Sequence, residues 1–228
     1  MLDAELLLQS VALWNEAREK DPESMANLQD QDLGGANLDG ADLCEANLTG
    51  SSLNGSSLNG ADLSDAHLSG ADCSEADLRG AILWNADLSE ANFTEAILNG
   101  ADLCGAYLEN ADFSAASICG ADLTCAHMSG ANFQEASILG SDFLDAFADH
   151  ADFSGADLKG CDFTGADLTG ADFSDATLNG SDFTGAELVG ADFTAALLNG
   201  VEFAAANIEG AKGLPDSVVN ESDKDLGE

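Results

Sequence analysis

The side chains able to do chemistry in this chain are few in kind and regular in place. Acids dominate: 43 Asp and Glu stand against 6 Lys and Arg, for a formal net charge of −37 over 228 residues. Many acids are spaced by multiples of five, as in Asp102, Asp122, Asp142, Asp162 and Asp182. Two carboxylates facing across a cleft can serve as general acid and base, and about six oxygens gathered by one loop can hold calcium. These acids are strung out singly, and no loop clusters six oxygens, so neither chemistry is expected. His67, His127 and His150 are the three histidines, and Tyr107 is the one tyrosine. No HExxH, GxSxG or CxxC occurs, and no glycine-rich phosphate loop opens a helix. Cys44, Cys73, Cys104, Cys119, Cys125 and Cys161 form no metal or disulfide spacing, which points to a reducing, cytoplasmic compartment. The reading is therefore no catalytic residue, no metal ligand and no cofactor. Such a charge repels nucleic acid and anionic membranes and attracts basic partners. The same composition also suits a salt-adapted protein.

The elements that position these residues follow from a five-residue period. From Ala26 to Gly210 the chain repeats without insertion, as in Ala36-Asn37-Leu38-Asp39-Gly40 and Ala41-Asp42-Leu43-Cys44-Glu45. Thirty-seven units fit; the first position is Ala in thirty of them, and the third is Leu, Phe or Ile in all but Cys73, Met128 and Ala148. A fixed internal period marks a repeat architecture. A helix advances about 100° per residue, so every fifth Leu would spiral around it and share no face. A strand alternates sides. If the Leu points in, the Ala two before it also points in and the residue between them points out. The next Ala must again point in, so the two residues after Leu form a corner. Gly, Asp, Asn, Ser and Glu at those corners suit turns. The chain winds a narrow tube whose centre is filled by the Leu position, with coils about 4.8 Å apart.

The pattern Ala-(Asp/Asn)-Leu-x-x resembles the motif of the pentapeptide-repeat family, over about four-fifths of the chain. The resemblance implies an all-β fold: a right-handed quadrilateral β-helix with four units per coil, here about nine coils. Leu7 to Arg18 is similar to the leader of many family members. Residues 3–20 read as one helix, with Leu7, Val11, Trp14 and Arg18 on one face, and are expected to cap the first coil, whose core and edges would otherwise be bare. The predicted organisation is a capping helix and linker at 1–25, the solenoid at 26–210 and a C-terminal cap with an acidic, disordered tail at 211–228. Leu214, Val218 and Val219 are expected to cover the last coil.

Four units per coil place residues twenty apart on one face. One inward column then turns from Leu33, Leu53 and Cys73 to Phe93, Phe113, Phe133, Phe153, Phe173 and Phe193, and the opposite column ends in Phe143, Phe163, Phe183 and Phe203. These are expected to be core ladders. Asp102, Asp122, Asp142, Asp162 and Asp182 line one outer face. Each is expected to cap its own turn, or the row mimics the phosphates of DNA. A further outer column holds His67, Tyr107, His127 and Phe147, with His150 at the corner, and is the candidate partner contact. Ala148, where a Leu should fill the core, predicts a local distortion. A smaller outward patch joins Ile82, Trp84 and Cys104.

Two functions follow. The first is a non-enzymatic structural or protein-interaction module. The alternative, which rests partly on resemblance to the quinolone-resistance members of the family, is a DNA mimic that binds a type II topoisomerase such as DNA gyrase. The partner is expected to be a protein, with no direct nucleic-acid binding and no membrane, and the chain a monomer or an end-to-end dimer.

Overall fold

In a unit that carries the Asp of the motif, such as 61–65, every backbone N–H group finds a partner, and the sequence motif follows from that accounting. The structure is a computed structural model that describes residues 3–21, 24–216 and 218. Take the unit Ala61-Asp62-Leu63-Ser64-Asp65. Asp62 N donates to Ala41 O of the coil before (2.9 Å), and Leu63 N to Ile82 O of the coil after (2.7 Å). Asp65 N donates forward to Trp84 O (2.8 Å), and Ala66 N closes the turn on Leu63 O (3.1 Å). That leaves Ser64 N, which donates to Asp62 Oδ1 (3.0 Å). The Asp or Asn of the motif is therefore a local cap on its own turn, a role that short carboxylate and amide side chains fill at turns.

Parallel bridges join each outward residue to the one twenty positions on, unbroken from Asn27↔Asn47 to Asp192↔Lys212. One circuit is thus four units. A side is only three residues long before the chain turns, so each face carries single-residue bridges, and no longer strand forms among the described residues. The second residue of every turn has positive φ, between 53° and 75° along the repeat. Glycine adopts that conformation without strain, yet Asp, Glu, Asn, Ala, Cys and His also hold it here.

The first and third positions of the units form one continuous buried core. Phe113, Phe133, Phe153 and Phe173 stack at 4.9–5.0 Å between successive rings. The Phe143, Phe163 and Phe183 ladder stacks beside them at 4.6–4.8 Å, and the two ladders meet edge to face, as at Phe153–Phe163 (6.0 Å). Cys73 and Cys161 are buried within it, and all six cysteines are free thiols. The expected distortion at Ala148 does not occur. Ala148 N still donates to Asp167 O at 2.7 Å and His150 N to Thr169 O at 2.8 Å, because the backbone ladder holds the coil whatever fills its centre.

The leader also differs from expectation. It is two helices, α1 (Ala4–Gln9) and α2 (Val11–Lys20), broken at Ser10. Ser10 is extended; its N–H closes α1 on Leu6 O, and its hydroxyl accepts from Leu13 N to start α2. Serine competes for the backbone this way and favours helix starts. Leu7, Trp14 and Arg18 are buried, whereas Leu13 is exposed. Trp14 Nε1 donates to Asp42 O (2.6 Å), Asn15 Oδ1 accepts from Asp42 N (2.9 Å), and Arg18 Nη2 donates to Cys44 O (2.6 Å). At the other end Leu214 packs partly buried against the core, and Val218 is half-buried. Val219 and the expected disordered tail lie outside the described residues.

Candidate functional site

The outer surface differs from face to face, because the outward position and the two corner positions of each unit are free to vary while the inward ones are held by the core. Consider first the face through residues 67, 87, 107, 127, 147 and 167. Tyr107 and His127 stack with centroids 5.0 Å apart and planes 12° from parallel, and His127 and Phe147 at 4.8 Å and 9°. Tyr107 is 45% exposed and Phe147 47%. Asp87 and Asp167 bound this strip in the same column. Of the five expected contact residues the structure therefore joins three. His67 stands one coil beyond Asp87, and it lines an open depression with Asp87, Tyr107 and Glu109. His150 turns away to the corner, where its ring lies against Gly170.

The column Asp102, Asp122, Asp142, Asp162 and Asp182 is continuous along five coils. Each Oδ1 accepts the N–H two residues on, at 2.8–3.0 Å, from Cys104, Thr124, Leu144, Thr164 and Thr184. The turns pin one oxygen of every carboxylate and leave the row of charge in register. The opposite face is built differently. There Asn alternates with Asp from Asp72 to Asp152, where Asn92 Nδ2 donates to Asp72 (3.1 Å) and Asn132 Nδ2 to Asp112 (3.0 Å), before Asp152, Asp172 and Asp192 stack directly. Like charges stacked on adjacent strands destabilise each other, and an intervening amide removes that cost. The 102–182 column has no such relief. Ile82 and Trp84, at its N-terminal end, are exposed (41% and 47%) and Cys104 is half-buried.

No cluster of His, Cys, Asp and Glu fit to hold a metal occurs among the described residues. Burial pushes the Cys161 thiol up to about 12 and that of Cys73 higher still. Cys44 and Cys104 are also raised, by partial burial first and then by neighbouring carboxylates. None of these four is a thiolate at neutral pH.

Sequence reasoning passed over the fourth face, made of the units from 36–40 to 196–200. Its outward column carries Ser, Thr, Ile and Leu in most coils, so the self-capping Asp is missing. Instead the preceding coil caps the turn: Asn59 N donates to Asp39 Oδ1 (2.9 Å), Cys119 N to Asn99 Oδ1 (2.8 Å) and Asn199 N to Asn179 Oδ1 (3.0 Å). Both basic residues of the repeat region, Arg79 and Lys159, sit here and pair with Asp77 (2.5 Å) and Asp157 (2.8 Å) of their own units. Sorting the corner residues by twenty exposes a further sign: Gly occupies that corner in every coil from Gly40 to Gly200.

A four-sided coil of five-residue units, with a side-chain cap in most turns and no enclosed cleft among the described residues, is a solenoid that presents flat faces. The family model for pentapeptide repeats matches in eight copies that together span residues 25–212, and the chain belongs to that family, whose members fold as right-handed β-helices. Solved structures similar to it include HetL, a pentapeptide repeat protein involved in heterocyst differentiation regulation from the cyanobacterium Nostoc sp. strain PCC 7120, at 30% identity over 86% of this chain and 93% of that one (TM-score 0.48). A thylakoid-lumen pentapeptide repeat protein of Arabidopsis thaliana is 40% identical over 43% of this chain and 65% of that one (TM-score 0.35). QnrB1, a plasmid-mediated fluoroquinolone resistance protein, is 21% identical over 89% of this chain and all of that one (TM-score 0.44). No curated protein matches the chain.

Proposed function

We propose that this chain is a non-enzymatic protein-interaction module that meets its partner through the strip Tyr107, His127 and Phe147, with His67 and His150 at its margins. The observation that supports this is an exposed stack of three rings on successive coils, the longest run of stacked side-chain rings on the outside of the described solenoid. Exposed aromatic clusters are favoured as binding hot spots. Asn and Asp hold the same position in other coils, so Tyr107→Asn with Phe147→Asp leaves the turns intact. The experiment is an affinity capture from native lysate with both proteins. A partner held by the wild type and lost by the variant, at equal melting temperature, is the expected result. Equal capture by both overturns the strip as the contact.

One observation favours a second reading, a DNA mimic for a type II topoisomerase. The Asp102–Asp182 column keeps five like charges stacked without a break, whereas the opposite face interposes Asn92 and Asn132 between its acids as far as Asp152. The repeat region carries 32 acids against Arg79 and Lys159, a net −30. About nine coils make a rod of roughly 44 Å, and duplex DNA of that length carries about 26 charges. In this reading the partner's surface is basic.

The α2 helix is the cap in either case. Its side chains meet Asp42 N, Asp42 O and Cys44 O, the groups that an earlier coil would otherwise have paired. With that cap we read the chain as a leader at 1–25, a solenoid at 26–210 and a C-terminal segment at 211–228, the bridge pattern reaching Lys212. Free, raised-pKa thiols suit a reducing cytoplasm. No helix among the described residues is long and apolar enough to cross a membrane.

A further inference from the structure

Nine successive glycines mark one corner of the solenoid, where positive φ favours glycine although other corners hold side chains at similar φ. At Gly40, Gly60, Gly80 and on to Gly200, an added Cβ meets nothing within 4 Å. Their φ values, 60° to 75°, adjoin those held by Asn110 (56°), Glu90 (59°) and Glu95 (59°) at other corners. Sixteen of the twenty-eight other corner positions carry a side chain, and none of these nine does. Backbone conformation is common to all four corners, and space is open here, so the bare corner answers to something outside the coil. Glycine is used where another backbone or ligand approaches closely.

The adjoining face is also the one with almost no net charge. Of the 32 acids in the repeat region, 29 lie on the other three faces, which carry no base. This face has Asp39, Asp77 and Asp157 against Arg79 and Lys159, a net of −1. Leu139 and Leu197 are exposed on it. A chain at −37 repels itself on every other side. From these two independent features we infer that the glycine-edged face is a self-association surface, and that its occupant is a second copy of this chain, lying alongside and parallel.

The direction follows from charge. A two-fold axis along the rod faces the outward column of one copy with the turn column of the other, at the same height. Asp77 then meets the partner's Arg79, and Asp157 meets the partner's Lys159. An antiparallel pair would instead set acid on acid and base on base. The parallel axis also sets each bare glycine corner opposite the copy's corner bearing Glu75, Glu95 and Glu135, where a side chain in place of glycine would crowd it. The chain's 9882 Å² of accessible surface is shared mainly among four faces, so one face offers on the order of 2,000 Å². Covering half of it on each copy exceeds the roughly 1,000 Å² expected of a specific interface. Because the acidic rims still repel, salt should tighten the pair, whereas it would loosen any complex with a basic partner.

The experiment is sedimentation velocity with small-angle scattering, from low to high micromolar protein, at physiological and raised salt. The expected result is a dimer that strengthens with salt and is no longer than the monomer. Gly100→Asn with Gly120→Asn and Gly140→Asn should weaken it about tenfold or more, with a melting temperature no lower than that of an equal set of glycine substitutions on other faces. Gly70→Asn with Gly185→Asn and Gly190→Asn, at equally open corners on other faces, should leave it unchanged. Arg79→Glu with Lys159→Glu should also dissociate it, and decides the matter if the glycine variant fails to fold. A wild type that stays monomeric in both salts, a dimer of twice the length, or charge-reversed protein that still pairs as wild type would each overturn the inference.

Discussion

A single phenylalanine shows how the core is held. Phe153 stacks on Phe133 and Phe173 at 4.9 and 5.0 Å and meets Phe143 and Phe163 edge to face at 6.0 Å. Truncation to Ala removes buried surface and leaves a cavity that the rigid coils cannot close. Phe153→Ala should cost about 3–5 kcal/mol, read as a lower urea midpoint; a loss under about 1 kcal/mol would refute its place in the ladder. The polar residues can be argued as closely. The Ser57 hydroxyl donates to Asp39 (2.6 Å), and Asn59 adds its backbone N–H. Together they hold the Asp39 carboxyl below its ordinary range, and Arg79 does the same for Asp77. A carboxyl depressed in the folded state adds stability that is present above its unfolded value, about 3.9, and is lost as pH falls through the folded value. Acid melts should therefore show wild type losing stability below about pH 4 more steeply than Ser57→Ala, and identical acid limbs would mean that the bond contributes nothing.

At the scale of elements, the coil was legible in the sequence and the leader only partly so. The five-residue period allows neither a straight helix nor an uninterrupted strand, and the Phe columns converge only when residues are sorted by twenty. The tube rests on spacing and the sorting by twenty on the family resemblance, and the bridges and stacked rings agree with both. The leader offered one face of Leu7, Val11, Trp14 and Arg18, which a continuous helix also explains. Ser10 breaks it through a hydroxyl bond to Leu13 N, a local competition that apolar periodicity does not register. Ala148 misled for the opposite reason: side-chain volume was weighed, but the backbone ladder sets the path of the coil. Arg18 spans both levels, since its guanidinium donates to Ser24 O and Cys44 O while lying 3.5 Å from Asp42. Deleting residues 1–20 should bare the groups of Asp42 and Cys44 and the first core layer, with loss of stability and growth of larger species in light scattering. A truncated chain that melts and scatters like the full one would remove the cap from the account.

Across the whole molecule, charge is sorted by face, and that pattern was half legible. The acid columns and the aromatic strip could be read by stepping twenty residues; the neutral face was missed because its sign is an absence, of acids and of corner side chains. The most informative column is the one that stacks five like charges without a break. On the opposite face Asn92 and Asn132 keep the turn bond, to Thr94 N and Gln134 N at 3.0 Å each, and also reach back to Asp72 and Asp112. Asp122→Asn with Asp162→Asn transfers that alternation to the 102–182 column. The turns should survive, and each Asn should add a bond to the coil before it while removing two like-charge contacts. Stability should rise by a few tenths to about 1 kcal/mol per site, and the gain should shrink at high salt. If the column serves as a row of surrogate phosphates, this more stable protein should bind a basic groove less well, with a shallower salt dependence. Supercoiling by DNA gyrase, titrated with both proteins, separates the two roles. Inhibition by wild type that weakens in the variant supports mimicry. No inhibition by either, or equal inhibition by both, leaves the column as a set of turn caps and returns the interaction to the aromatic strip.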